Sequence, residues 1–130
     1  MIRHTAQLRV RYKETDQMMV AYYSNYFVWF EVARTELLRK VGYPYTRIEN
    51  DMGLRLMVVR AQCCYKMPAR YDDLLSVDCF VPEVGNTSIT FACVIFRGND
   101  LLAKGDTVHV CADASGKPRR IPQVLKGALA

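Results

Sequence analysis

The hydrophobic period of this chain changes from strand-like to helix-like over one long stretch and then returns to strand-like. Ala6, Leu8, Val10 and Tyr12 alternate with Gln7, Arg9, Arg11 and Lys13. Such a period of two predicts a strand over residues 5–13 with one wet face. From Ser24 to Val41 the apolar residues Tyr26, Phe30, Ala33, Leu37 and Val41 recur at intervals of three and four. That spacing lays them along one face of a helix about 27 Å long. Ser24 or Asn25 is suited to cap its start and Gly42 to end it. Val28, Trp29 and Val32 widen the stripe, so most of this helix is expected to lie under protein.

Everything after the helix reads as strands and turns. Residues 43–53 form a turn-rich connection around Pro44 with room for a short helical turn. Strands are expected over 55–65, 74–82, 88–96 and 101–111, the last with an extension to Asp113. Between them lie the loop KMPARYDD at 66–73, a Gly85-Asn86 turn and a Gly98-Asn99-Asp100 turn. Short links make neighbouring strands antiparallel. The element order β-α-β-β-β-β therefore predicts an α+β fold, a five-stranded antiparallel sheet curled around one long helix. A length of 130 residues suits one domain, 1–130. One helix covers only one sheet face, so the other face or an edge calls for a partner, most simply in a homodimer.

The placement of charge narrows the chemistry. Net charge is +5, and Lys117, Arg119, Arg120 and Lys126 stand in a tail from Ala114 onward that holds no acid. A basic cluster of this kind suits phosphate groups. It is confined to a short tail without interleaved aromatics, which argues against nucleic-acid binding. The five cysteines, at 63, 64, 79, 93 and 111, are odd in number and never spaced CxxC. They read as small core residues in a reducing cytoplasm. With only His4 and His109 present, a histidine-rich metal site is not expected. The N-terminal MIRHTAQLRVRYKE has no apolar signal core, and no run is long enough to insert in a membrane.

Asp16 is the residue on which a chemical reading turns. It follows the first strand, and no other acid or base stands between it and Glu31. A carboxylate just before a helix can attack a carbonyl or activate water, while unpaired N–H groups of the first turn hold an oxyanion. No G-x-S-x-G elbow, P-loop or dinucleotide glycine motif is present. Cys63 and Cys64 have no histidine near them in sequence, which disfavours a thiol nucleophile.

The stretch RYKETDQMMVAYYSNYFVWFEVARTELLRKVG, residues 11–42, resembles the hotdog-fold 4-hydroxybenzoyl-CoA thioesterase family, including the acyl-CoA thioesterases associated with the Tol-Pal system. Asp16, Val20, Tyr22, Tyr23 and Tyr26 carry the motif, with Glu31 and Arg34 on the helix. YKMPARYDDLL at 65–75 and SGKPRRIP at 115–122 support it. The resemblance implies hydrolysis of an acyl-CoA, with Asp16 as nucleophile or general base and the Tyr23 N–H as oxyanion donor. CoA would be part of the substrate, no cofactor would be needed, and homodimers would assemble to a homotetramer. Lys117, Arg119 and Arg120 lead as phosphate ligands, followed by Lys66 and Arg70, and these two clusters can come from different subunits. Met19 stands where relatives have glycine, and Tyr23 where many have histidine. Met19 and Asn25 are placed against substrate. Glu31 is read first as an ion-pair partner of Arg34 and second as a reserve catalyst, and His109 as a core or surface histidine. The alternatives are a hotdog enoyl-thioester hydratase or dehydratase, which normally needs a histidine beside the acid, and an acyl-thioester-binding module without turnover.

Overall fold

A computed structural model describes residues 1–130. Strand β1 (Arg3–Arg9) leads through a 3-10 turn at Tyr12–Glu14 to helix α1 (Asn25–Lys40) and helix α2 (Tyr45–Met52). Strands β2 (Leu54–Tyr65), β3 (Leu74–Val84), β4 (Ser88–Arg97) and β5 (Asp100–Asp113) follow, and helix α3 (Gln123–Ala128) closes the chain. The five strands form one antiparallel sheet in the order β1-β3-β4-β5-β2. It is the hotdog architecture, with α1 against the concave face. No helix is long and apolar enough to cross a membrane.

Alternation in the sheet builds the core. Leu75, Val77, Cys79 and Val81 of β3 and Ile89, Phe91, Cys93 and Ile95 of β4 point inward and are buried. They meet Trp29, Phe30, Ala33, Leu37 and Leu38 of α1. Gly105 in β5 lets the layers close. A Cβ there would collide with the Gln62 carbonyl and come within 2.9 Å of the Phe30 ring. Strand β2 pairs only with β5, and its outer edge is free.

Several expectations change. β1 ends at Arg9, not at 13, because Val10 bonds the 72–73 loop and the Arg11 N–H turns to Glu14 Oε1 at 2.7 Å. Tyr12 is consequently exposed, with its ring edge-on to Tyr71. Helix α1 is a turn-fraction shorter than expected. Ser24 stands at its N-cap position but makes no side-chain cap bond. Val28 and Val32 lie on its exposed side. Cys64 is exposed and Cys63 half-buried, so only Cys79, Cys93 and Cys111 are core residues. Helix α3 is an addition, and its Leu125 with the following Leu129 seals one end of the core.

Arg34 is the largest correction. It does not pair with Glu31 but turns inward, 8% exposed. Its Nε donates to the Tyr45 hydroxyl at 3.0 Å, one terminal nitrogen donates to the Thr107 hydroxyl at 3.4 Å, and the guanidinium stands 5.9 Å from the Phe91 ring centroid. Two hydroxyls and an aromatic face stand in for the missing carboxylate. His109, fully buried beside it, is held down to about 4 by burial and by the Arg34 charge, against a pull upward from the Leu56 backbone.

Candidate active site

The loop carrying Asp16 is tied down before helix α1 begins. Thr15 and Ala21 form an isolated bridge, the Asp16 N–H donates to the Val20 carbonyl at 2.9 Å, and the Met19 N–H donates to the Asp16 carbonyl at 3.0 Å. One carboxylate oxygen of Asp16 accepts the Met18 N–H at 2.8 Å, while the other has no partner in the chain. Closing so tight a turn requires left-handed backbone at Met19, where φ is 67°. A side chain is disfavoured in that conformation, so Met19 holds backbone strain that a glycine would not.

Glu14, which the sequence reading passed over, braces this loop to the helix. It is 4% exposed and its Oε2 accepts the Trp29 indole N–H at 3.0 Å. Its backbone carbonyl accepts both the Tyr22 N–H and the Asn25 side-chain amide, each at 2.8 Å. Asn25 thus serves as a brace through its NH₂ group. The N–H groups of Tyr23 and Ser24 donate to no protein acceptor, whereas the N–H of Asn25, Tyr26 and Phe27 already bond back to Tyr22, Tyr23 and Ser24. Two free donors at the head of a helix form a site for negative charge.

A cavity of about 300 Å³ opens beside these donors, lined by Val20, Ala21, Tyr23, Tyr26, Tyr65, Lys66, Met67 and Pro68. Its walls are mainly apolar and include three tyrosines; Tyr26 and Tyr65 meet edge to face with ring centroids 4.8 Å apart. The Asp16 charge is felt at this end of the fold, since it adds to the neighbouring Tyr23 in pushing the Tyr22 phenol upward.

Of the predicted residues, Asp16, Met19, Tyr23, Asn25, Lys66 and Arg70 gather at this end. Lys66 lines the cavity, and Arg70 reaches the Met19 carbonyl at 3.5 Å. Lys117, Arg119 and Arg120 do not join them within one chain. Their segment is bonded to Cys111 and Asp113, opposite the Leu54 end of β2, while Tyr65 ends the same 12-residue strand. That contour is about 36 Å at roughly 3.3 Å per residue. Arg119 is also paired with Asp113 at 2.9 Å. The Asp113 carboxyl is held low by the Ser115 hydroxyl, with the Lys117 backbone and Arg119 assisting. Glu31 is exposed and lines no part of the cavity. His109 is sealed in the core and lines none of it either.

The fold is that of hotdog enzymes, and the comparisons with known proteins give the class of chemistry. The thioesterase-like superfamily matches over residues 10–129, and the chain belongs to it, as a thioester hydrolase. A protein of Aquifex aeolicus named only as an esterase is 38% identical over 91% of this chain and 94% of its own. An acyl-CoA thioesterase of Haemophilus influenzae is 33% identical over 93% and 90%. Among solved structures, an Aquifex aeolicus protein superimposes with a TM-score of 0.92 at 35% identity, covering 98% of this chain and 99% of that one. A 4-hydroxybenzoyl-CoA thioesterase, also matched by structure (TM-score 0.88, covering 100% of both chains), is 21% identical and shares the fold alone.

Proposed function

We propose that this protein hydrolyses an acyl-CoA thioester to a carboxylic acid and free CoA. The observation that carries the proposal is the unpartnered oxygen of Asp16 on a loop that Glu14 braces to a helix head with two free N–H groups, near a mainly apolar, tyrosine-bearing cavity. A narrower kinship with the 4-hydroxybenzoyl-CoA and Tol-Pal-associated thioesterases rests on the Asp16 motif and the two later strings.

A thioester suits so spare a site. The departing thiol is acidic, near that of a free cysteine at about 8.5, so no strong general acid is required. The barrier lies in forming the tetrahedral oxyanion, which the Tyr23 N–H would receive. In one route Asp16 adds to the carbonyl carbon, the C–S bond breaks, CoA leaves as thiolate, and water cleaves the resulting mixed anhydride. In the other, Asp16 takes a proton from water as its oxygen adds to the carbonyl, the C–S bond breaks, and the thiolate is protonated. Met19, exposed on the Asp16 loop, would meet the acyl group from outside the cavity, Asn25 would hold the loop in place for it, and no cofactor is needed beyond the substrate's own CoA.

The separation of the basic clusters gives the substrate a second subunit to meet. Two β2 edges paired antiparallel about a two-fold axis would set one chain's Leu54 end beside the other's Tyr65 end. Lys117, Arg119 and Arg120 of the partner would then approach the Lys66 and Arg70 of this cavity and hold the CoA phosphates. A homodimer is thus the working unit, with a homotetramer as its further assembly. Thiol release across straight-chain and aromatic acyl-CoAs tests the proposal. Turnover of at least one series is expected, with its loss in Asp16→Asn. No turnover with any acyl-CoA would remove the proposal, and full activity in Asp16→Asn would remove Asp16 from its mechanism.

A further inference from the structure

Tyr65 has no part in the reading above beyond lining the cavity, yet it makes a bond that such a part does not require. Its hydroxyl donates to the Tyr23 carbonyl oxygen at 3.1 Å. The ring is fixed for this task, edge-on to Tyr26 at 4.8 Å and to Tyr23 at 6.5 Å between centroids. Tyr65 ends β2, and Lys66 and Met67 after it both bond the Leu102 carbonyl, so the side chain springs from anchored backbone.

The Tyr23 carbonyl and the Ser24 N–H belong to one peptide plane, and that Ser24 N–H is one of the two free donors at the helix head. A hydrogen bond accepted by the carbonyl oxygen draws electron density along the amide. It makes the N–H of the same unit a better donor, as in any hydrogen-bonded chain. It also restrains that plane from rotating. Tyr23 N–H sits on the adjacent plane, hinged at the Tyr23 Cα.

We propose that Tyr65 is a positioning residue for a two-donor oxyanion site, in which its hydroxyl orients and polarises the Tyr23–Ser24 peptide and the Ser24 N–H joins the Tyr23 N–H on the substrate oxygen. This rests on the thioesterase reading and adds the second donor and the group that holds it. Burial and the neighbouring Cys63 push the Tyr65 phenol up to about 12, so the hydroxyl keeps its proton at neutral pH.

Tyr65→Phe removes only the oxygen and leaves the ring on the cavity wall. On the acyl-CoA that wild type turns over fastest, kcat is expected to fall roughly three- to ten-fold, the worth of one net hydrogen bond, with KM unchanged. A residue that merely shaped the cavity would move KM instead. The Ser24 amide ¹⁵N resonance is expected to shift upfield by more than its neighbours, which reads the peptide directly and without turnover. Wild-type kcat in Tyr65→Phe with an unmoved Ser24 resonance, in a protein that Asp16→Asn inactivates, overturns this inference and leaves the thioesterase reading standing. A wild type that cleaves no acyl-CoA overturns both.

Discussion

The two ends of helix α1 are held in different ways. From Phe30 to Leu38 it lies on the sheet through Phe30, Ala33, Leu37 and Leu38, each at most 1% exposed. Its head and the turn leading into it, Tyr22 to Tyr26, are held by hydrogen bonds: Glu14 accepts from Tyr22, Asn25 and Trp29, the Tyr26 hydroxyl accepts the Ala69 N–H at 3.1 Å, and Tyr65 donates to Tyr23. Close packing decides where the helix lies but leaves no reactive group in reach of solvent. Polar bracing can position a backbone while sparing chosen donors, and at this head it spares Tyr23 and Ser24. A surface loop is thereby given a fixed geometry.

Substitutions at the two ends should separate stability from activity. The largest effect on folding is expected from Leu37→Ala, at about 4 kcal/mol for a buried leucine in close packing. Chemical denaturation measures it, and kcat per folded molecule should hold. Glu14→Ala leaves the Trp29 indole and the Arg11 N–H without their acceptor, for roughly 3 kcal/mol. Unlike Leu37→Ala it should also lower kcat, because the Asp16 loop loses its brace. A Glu14→Ala protein with unchanged kcat would erase the distinction between the two ends.

His109 gives the packed region its own signature in pH. The folded imidazole is lowered to about 4 from an ordinary 6.5. Above pH 6.5 it is neutral folded or unfolded. As pH falls from 6.5 toward 4, the unfolded chain binds a proton that the folded chain refuses, and about 2 to 3 kcal/mol of stability is lost. A Tm–pH profile of wild type against His109→Leu should show that slope in wild type alone. The smallest effect is expected at Met19. Met19→Gly relieves roughly 1–2 kcal/mol of left-handed strain and returns about 0.5–1 kcal/mol to the unfolded chain. A net gain of no more than about 1.5 kcal/mol should remain, together with a changed acyl preference in the thiol-release series.

What could be read from the sequence follows the range of the interactions. The helix stripe at Tyr26, Phe30, Ala33 and Leu37 and the alternation in β3 and β4 are local patterns, and they appear where expected. Asp16 and Tyr23 are singled out by a local motif and Met19 by its departure from it, and their loop stands at the head of the helix. Glu14 was not, since its role lies in a bond to Trp29, 15 residues away. Tyr65 acts across 42 residues and Arg34 across 73, to Thr107. Neither spacing leaves a periodic trace, and for Arg34 the nearby Glu31 offered a local partner that the fold does not use. Helix α3, six residues long, is too short to show a stripe.

The central claim is that Asp16 performs chemistry on a loop whose fold does not depend on its charge. Asn at this position keeps an oxygen for the Met18 N–H but loses the nucleophile and base. The decisive measurement is kcat for acyl-CoA cleavage and unfolding free energy on the same Asp16→Asn preparation. A fall in kcat of roughly a hundred-fold or more, with stability within about 0.5 kcal/mol of wild type, is the predicted result. Wild-type kcat in that variant would contradict the account.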